Sequence, residues 1–141
     1  MSGGPLAGLR VVEIAGIGPG PYAGMLLADL SAEVLRIDRL DAPPRVSAPG
    51  NVLRRNRRSL AVDLKAPGAR ELVLDLARTA DVLLEPFRPG VAERLGIGPD
   101  DCLAVNPRLV YGRVTGWGRE GPLAPRAGHD IDYLAVAGGL H

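Results

Sequence analysis

Short apolar runs alternate along this chain with segments whose apolar residues recur every three or four positions. The apolar runs predict buried strands and the recurring segments predict amphipathic helices. The predicted strands cover residues 9–14, 33–38, 59–64, 81–85 and 108–115, and the predicted helices 21–30, 67–79, 91–95, 100–105 and a last one that begins after residue 130. Strictly alternating strands and helices are typical of an α/β protein with an open, Rossmann-like parallel sheet and helices on both faces.

Composition and charge exclude several classes of protein. The chain has 141 residues, enough for one domain with a core, and 17 basic residues nearly balance 16 acidic ones. A net charge of +1 argues against nucleic-acid binding. The single Cys102 excludes an internal disulfide and a cysteine metal cluster, and its helical context predicts burial.

Membrane and export signals are also missing from the pattern. The longest uncharged stretch, residues 14–28, is too short to span a bilayer and contains Pro19 and Pro21. The first five residues lack the charged and apolar regions of a signal peptide. We therefore expect a cytoplasmic protein that has no membrane partner.

Ligands of open parallel sheets bind where the loops gather at the carboxyl ends of the strands. The predicted elements place there the loops 16–20, 87–88 and 116–129, together with Arg39 and Lys65. Further basic residues lie in or near these loops, namely Arg54, Arg55, Arg57, Arg58, Arg88 and Arg94. Guanidinium groups bind phosphate in pairs of hydrogen bonds, so several of them would suit coenzyme A. For any single arginine, a solvated surface charge is the commoner role.

The segment 18–23 matches the dinucleotide fingerprint G-x-G-x-x-A, and Asp38 follows at the expected distance. This pattern predicts NAD binding. However, Pro19 and Pro21 lack the backbone N–H groups that would bind a pyrophosphate. A tight turn with close helix packing explains the glycines equally well.

His129 follows a long turn-rich loop and precedes the last predicted helix. Asp130 is a candidate cap for that helix. An imidazole beside free N–H groups at a helix start could move a proton while those groups stabilise an oxyanion. The alternative is a solvated or capping histidine without a catalytic role.

Taken together, the motifs resemble the family III CoA-transferase (CaiB/BaiF) superfamily, and within it the α-methylacyl-CoA racemases. The resemblance covers almost the whole chain and rests on residues 5–13, 16–21, 27–34, 36–39, 56–60, 63–65, 87–91, 115–118 and 128–133. The Gly-His-Asp run at 128–130 is similar to the racemase version, whereas the most similar transferases tend to lack that histidine.

The resemblance implies a two-base exchange of the α-proton of a 2-methylacyl-CoA through an enolate-like intermediate. His129 would be one acid/base, with Asp130 helping to steady the thioester oxygen, and Arg39 would contact a CoA phosphate. The other residues expected to bind CoA or substrate are Ile17, Val62, Lys65, Phe87, Arg88, Arg94, Gly128 and Tyr133. Coenzyme A would be part of the substrate, and neither a metal nor another cofactor is implied.

In the family, the second acid/base is an aspartate downstream of the Gly-His-Asp run, followed by a small domain and a return of the chain. The subunits form an interlocked homodimer. Residues 1–141 are therefore expected to be the N-terminal CoA-binding portion. The alternatives are a family III CoA-transferase, a non-catalytic CoA-binding module that needs a partner chain, and a Rossmann-like domain for another nucleotide.

Overall fold

The computed structural model describes residues 3–41 and 51–140 and contains a parallel sheet of five strands. The strands are β1 (Arg10–Ile14), β2 (Glu33–Arg39), β3 (Arg58–Val62), β4 (Val82–Glu85) and β5 (Val110–Arg113), in the order β3-β2-β1-β4-β5. The predicted α/β fold is confirmed. Because the chain runs outward from β1 in one direction and then continues through β4 in the other, the switch point lies between β1 and β4, where ligands of such sheets bind.

In the described ranges, four α-helices and one 3-10 helix lie between strands, and a fifth α-helix follows β5. They are α1 (Pro19–Asp29), α2 (Ala69–Thr79), α3 (Val91–Arg94), α4 (Pro99–Val105) and α5 (Asp130–Val136), with the 3-10 helix at Val52–Arg54. Strand β3 ends two residues earlier than predicted, because the Asp63 carboxylate accepts a hydrogen bond of 2.9 Å from the Lys65 N–H and starts a turn. None of the helices in the described ranges is long and apolar enough to cross a membrane.

The apolar core lies on both faces of the sheet. On one face, Val12, Ile14 and Leu83 pack with residues of α2 and α4, including Cys102. Cys102 is fully buried as predicted, and burial raises the pKa of its thiol to about 11. On the other face, a smaller apolar cluster packs beneath α1.

Beneath α1 the sheet also carries a buried charge cluster, which consists of Glu13, Arg36, Asp38, Arg54 and Arg57. Arg36 and Arg54 both bind the Asp38 carboxylate, at 3.0 and 2.8 Å, and Arg57 donates to Glu13. Arg54 and Arg57, two of the basic residues expected near the ligand, thus form ion pairs with carboxylates of the sheet.

The two remaining arginines of the segment 54–58 also face carboxylates. Arg55 binds Asp29 at the end of α1, and Arg58 lies 4.0 Å from Glu33. All four arginines of this segment therefore have carboxylate neighbours in α1 or in the sheet, while their role toward an anionic ligand stays a prediction.

Candidate functional site

The loops after β1 and β4 meet at the switch point, where glycines allow a close approach. A Cβ atom at Gly16 would lie 2.5 Å from the Cγ of Pro86, and one at Gly20 would lie 3.2 Å from its Cβ. Asp38, the fingerprint acid, is 7% exposed and bound to two guanidinium groups. These contacts favour the close-packing interpretation of the glycines over NAD binding, because both features of the fingerprint already have partners within the protein.

A cavity of about 230 Å³ opens at this switch point, and we call it the His129 cavity. Six of the sequence-predicted residues line it, namely Ile17, Phe87, Arg88, Gly128, His129 and Tyr133. The structure therefore brings together residues that are separated by more than a hundred positions along the chain, which the parallel topology predicts. It also adds Thr115 and Arg126, which the sequence analysis did not select.

Gly128 is required beside Tyr133 for steric reasons. A Cβ atom on Gly128 would lie 2.7 Å from Cζ and 2.8 Å from Cε1 of the tyrosine ring. A Cβ on Gly116 would lie 2.7 Å from the hydroxyl oxygen. The Tyr133 side chain thus lies against two backbone segments that enclose the cavity, and any side chain at either glycine would displace it.

The start of α5 differs from the prediction. His129, not Asp130, is the N-cap residue, and its backbone N–H donates to the Asp132 carboxylate at 2.9 Å. Asp130 is the first helical residue, is exposed and does not line the His129 cavity. Because Asp132 occupies the His129 N–H and two aspartates lie in the first turn, this helix start is a poorer oxyanion site than the sequence suggested.

A larger cavity of about 860 Å³ adjoins the first, and we call it the Arg39 cavity. Its lining includes five predicted residues, namely Arg39, Val62, Lys65, Phe87 and Arg94. The volume lies within the range of small-molecule sites. Phe87 lines both cavities, so one ligand that passes over its ring would contact both.

The Arg39 guanidinium already has a carboxylate partner. Its Nε and Nη2 donate to the two oxygens of Asp41 at 3.1 and 3.0 Å, and this pairing lowers the pKa of Asp41. Both side chains are exposed, at 68% and 75%. A phosphate at this position would therefore have to compete with Asp41 for the guanidinium, in a place where water screens the pair.

Two residues before Phe87 lies Glu85, a buried carboxyl that the sequence analysis treated only as a strand end. It is 3% exposed and accepts a hydrogen bond from the Phe87 N–H. Burial raises the pKa of Glu85. One sequence feature could have indicated this buried carboxyl: an acidic residue that ends an apolar run, directly before Pro86 and Phe87.

Comparison with known proteins identifies the family. The family model for "CoA-transferase family III" matches residues 6–141. The α-methylacyl-CoA racemases of Mus musculus and Homo sapiens are 50% and 47% identical over 96% of this chain. A probable fatty acyl-CoA transferase of Mycobacterium tuberculosis is 40% identical over 95% of the chain.

A crystal structure of a hypothetical protein from Mycobacterium tuberculosis superposes with a TM-score of 0.88 and 41% identity, covering 96% of this chain and 40% of that protein. The chain spans about a third of the length of the curated relatives, 34% for both racemases and 37% for the probable transferase. With a family model that covers nearly every residue and a solved relative of the same fold, this chain belongs to CoA-transferase family III.

Proposed function

We propose that this chain is the CoA-binding part of a 2-methylacyl-CoA racemase in which His129 is one of two acid/bases. The observation that carries the proposal is the position of His129 in the wall of a cavity at the switch point, beside a larger cavity with three cationic residues. The high identity to two racemases supports this assignment over other members of the family.

In the proposed binding mode, the CoA phosphates occupy the Arg39 cavity. Arg39, Lys65 and Arg94 supply positive charge there, and Phe87 separates this region from the His129 cavity. The pantetheine arm would pass over Phe87, so that the thioester lies beside His129. Phosphate groups prefer such clusters of guanidinium and ammonium groups.

The chemistry assigned to His129 is proton transfer at C2 of the acyl group. The imidazole takes the proton, the electron pair of the C–H bond delocalises into the thioester as an enolate, and protonation on the opposite face gives the other enantiomer. His129 can serve only the face that it contacts. The second acid/base, by the family resemblance, is an aspartate beyond residue 141, and the proposal includes the interlocked homodimer.

Deuterium exchange at C2 tests the proposal. The 141-residue chain, incubated in D₂O with each enantiomer of a 2-methylacyl-CoA, should exchange the α-proton of one enantiomer without interconverting the two. A chimera in which residues 6–140 replace the aligned third of the mouse racemase should exchange both enantiomers and racemise them. Full racemase activity of a His129→Ala chimera would contradict the assignment, because loss of a general base should cost about 10²–10⁴ in rate.

A CoA-transferase is the second candidate, and the identity to a probable fatty acyl-CoA transferase favours it. Such an enzyme moves CoA from an acyl thioester to a free carboxylic acid and leaves the configuration at C2 unchanged. Incubation of the chimera with acyl-CoA and an acceptor acid would reveal a new thioester by mass spectrometry. Binding of CoA without either reaction would support a binding module that needs a partner chain.

A further inference from the structure

One side chain, Trp117, contacts the protein on both sides of His129. The indole Nε1 donates a hydrogen bond of 3.0 Å to the carbonyl oxygen of Ala127, two residues before the histidine. The indole ring lies 4.8 Å from the ring of Tyr133, four residues after it, with an interplanar angle of 55°. This tilted geometry is favourable for an aromatic pair. Trp117 thus holds together the end of the turn-rich loop and the helix that His129 caps.

The turn that presents Trp117 begins two residues after the end of β5. The Thr115 hydroxyl oxygen accepts a hydrogen bond of 3.0 Å from the Gly118 N–H, and Gly118 adopts a φ of 75°. Such a side-chain-to-backbone bond mimics a backbone turn, and the left-handed conformation favours glycine. The indole is therefore presented by a turn of defined geometry that follows β5 closely.

The contact with Tyr133 matters because α5 has few other means of attachment. None of its seven residues is buried, and Ile131 and Val136 are each about two-thirds exposed, at 67% and 68%. Isolated helices of this length are unstable in water, so the helix depends on tertiary contacts. Tyr133 supplies such contacts through Trp117 and the backbones of Gly116 and Gly128.

We infer that Trp117 is a positioning residue that fixes the His129 imidazole relative to the other residues that line the His129 cavity. The inference rests on the proposed function in that His129 is the acid/base whose position matters. Removal of the indole deletes the hydrogen bond to Ala127 and the ring contact with Tyr133 together, so the histidine between them loses one restraint on each side. A displacement of about 1 Å at a reacting group can lower a rate by about 10²-fold.

The test uses two substitutions that remove the contacts in steps. Trp117→Phe keeps a ring against Tyr133 but loses the N–H donor, whereas Trp117→Ala loses both. As a matched control, Tyr111→Phe removes a different aromatic hydrogen bond, the one of 2.9 Å from the Tyr111 hydroxyl to the carbonyl oxygen of Ile97. The imidazole signals of the isotope-labelled 141-residue chain are recorded by NMR, and a His129→Gln variant assigns them, because the chain has only two histidines.

We expect the His129 signals to shift in Trp117→Phe and to shift further in Trp117→Ala, with unchanged circular dichroism and with no shift in Tyr111→Phe. In the racemase chimera, Trp117→Ala should lower kcat by about 10²-fold with little change in KM for the acyl-CoA. Unchanged His129 signals in either folded tryptophan variant would overturn the inference, as would a rise in KM at constant kcat. If the chimera is inactive but the signals shift, the proposed function fails while the positioning role stands.

Discussion

The buried charge cluster gives the sharpest prediction for stability, through the substitution Glu13→Gln. The Glu13 side chain is fully buried, and its two charged neighbours, Arg57 and Arg36, are 2% and 3% exposed. Gln keeps the size of the side chain and an oxygen that can accept from Arg57, but it removes the negative charge. The substitution therefore isolates the electrostatic part of the interaction.

The expected loss follows from the charge count beneath α1. The intact cluster has three guanidinium groups and two carboxylates. Asp38 is already bound to Arg36 and Arg54, so Glu13→Gln leaves Arg57 buried without a carboxylate. Removal of one partner of a buried ion pair typically costs about 3–5 kcal/mol. Burial raises the pKa of Glu13, so the desolvation of its carboxylate offsets part of this loss, and we expect the lower end of this range. A loss of about 3 kcal/mol is still a large part of the ~5–15 kcal/mol that stabilises an ordinary domain.

Urea unfolding of the 141-residue chain provides the measurement, with circular dichroism and the fluorescence of Trp117, the single tryptophan, as two probes. The matched control is Asp75→Asn, which removes the carboxylate from an ion pair with Arg78 on the exposed surface of α2. Exposed pairs at this spacing contribute about 0.5 kcal/mol or less. The two substitutions make the same chemical change to a carboxylate, in a buried and in an exposed place.

A second substitution tests the cause of the loss. In the double variant Glu13→Gln/Arg57→Met, the guanidinium that lacked a carboxylate is gone, so the double variant should be more stable than Glu13→Gln alone. The reasoning would be refuted if Glu13→Gln lowered the unfolding free energy no more than Asp75→Asn does. It would also be refuted if Arg57→Met destabilised the Glu13→Gln variant as much as it destabilises the wild type.

Three further predictions concern ligand binding, pH and association. Arg39→Ala should weaken CoA binding about tenfold, while Asp41→Asn should strengthen it because the Arg39 guanidinium is released. Isothermal titration with CoA measures both affinities, and values equal to that of the wild type would show that Arg39 and Asp41 are not part of the binding site. Burial raises the pKa of Glu85 above its ordinary value of 4.5, so the folded chain loses stability as pH rises from 4.5 through the raised pKa. Glu85→Gln should remove that loss. The variant should therefore be as stable as the wild type below pH 4.5 and increasingly more stable as pH rises through this window. A stability difference that does not change with pH would contradict this origin. The exposed apolar side chains of α5 should make the 141-residue chain self-associate, and Ile131→Glu/Val136→Glu should reduce the apparent mass in light scattering; a monomeric wild-type chain at high concentration would refute this.

Much of the candidate site could be predicted because parallel strands gather their following loops at one edge. Phe87 and His129 lie 42 positions apart, yet both follow strands of one parallel sheet and line the same cavity. The motif residues around them therefore had to converge. The sequence did not show which cavity each residue lines, because this depends on the strand order, and the apolar pattern contains no information about that order.

The sequence analysis did not predict the charge pairing of the segment 54–58. Arg54 and Arg57 stand in a basic run beside a predicted strand, which suggested an anionic ligand. Their partners, Asp38 and Glu13, are 16 and 44 positions away and lie in the predicted strands 33–38 and 9–14. Local patterns cannot reveal pairing over such separations, because it arises only when α1 and the 3-10 helix segment cover the same face of the sheet.

The glycines of the first loop show why a fingerprint alone cannot assign a ligand. A pyrophosphate and a closely packed helix both require a missing Cβ, so each produces the same sequence pattern. The atoms within reach of that missing Cβ distinguish the two cases. At Gly16 and Gly20 they belong to Pro86, and at Gly24 they belong to the buried charge cluster, so α1 can approach the sheet only because these side chains are absent. Gly18 faces open space, but its φ of 67° gives it a conformational reason of its own. Each of these glycines is therefore required by the fold, and the loop is free to contribute Ile17 and Pro19 to the wall of the His129 cavity without binding a dinucleotide.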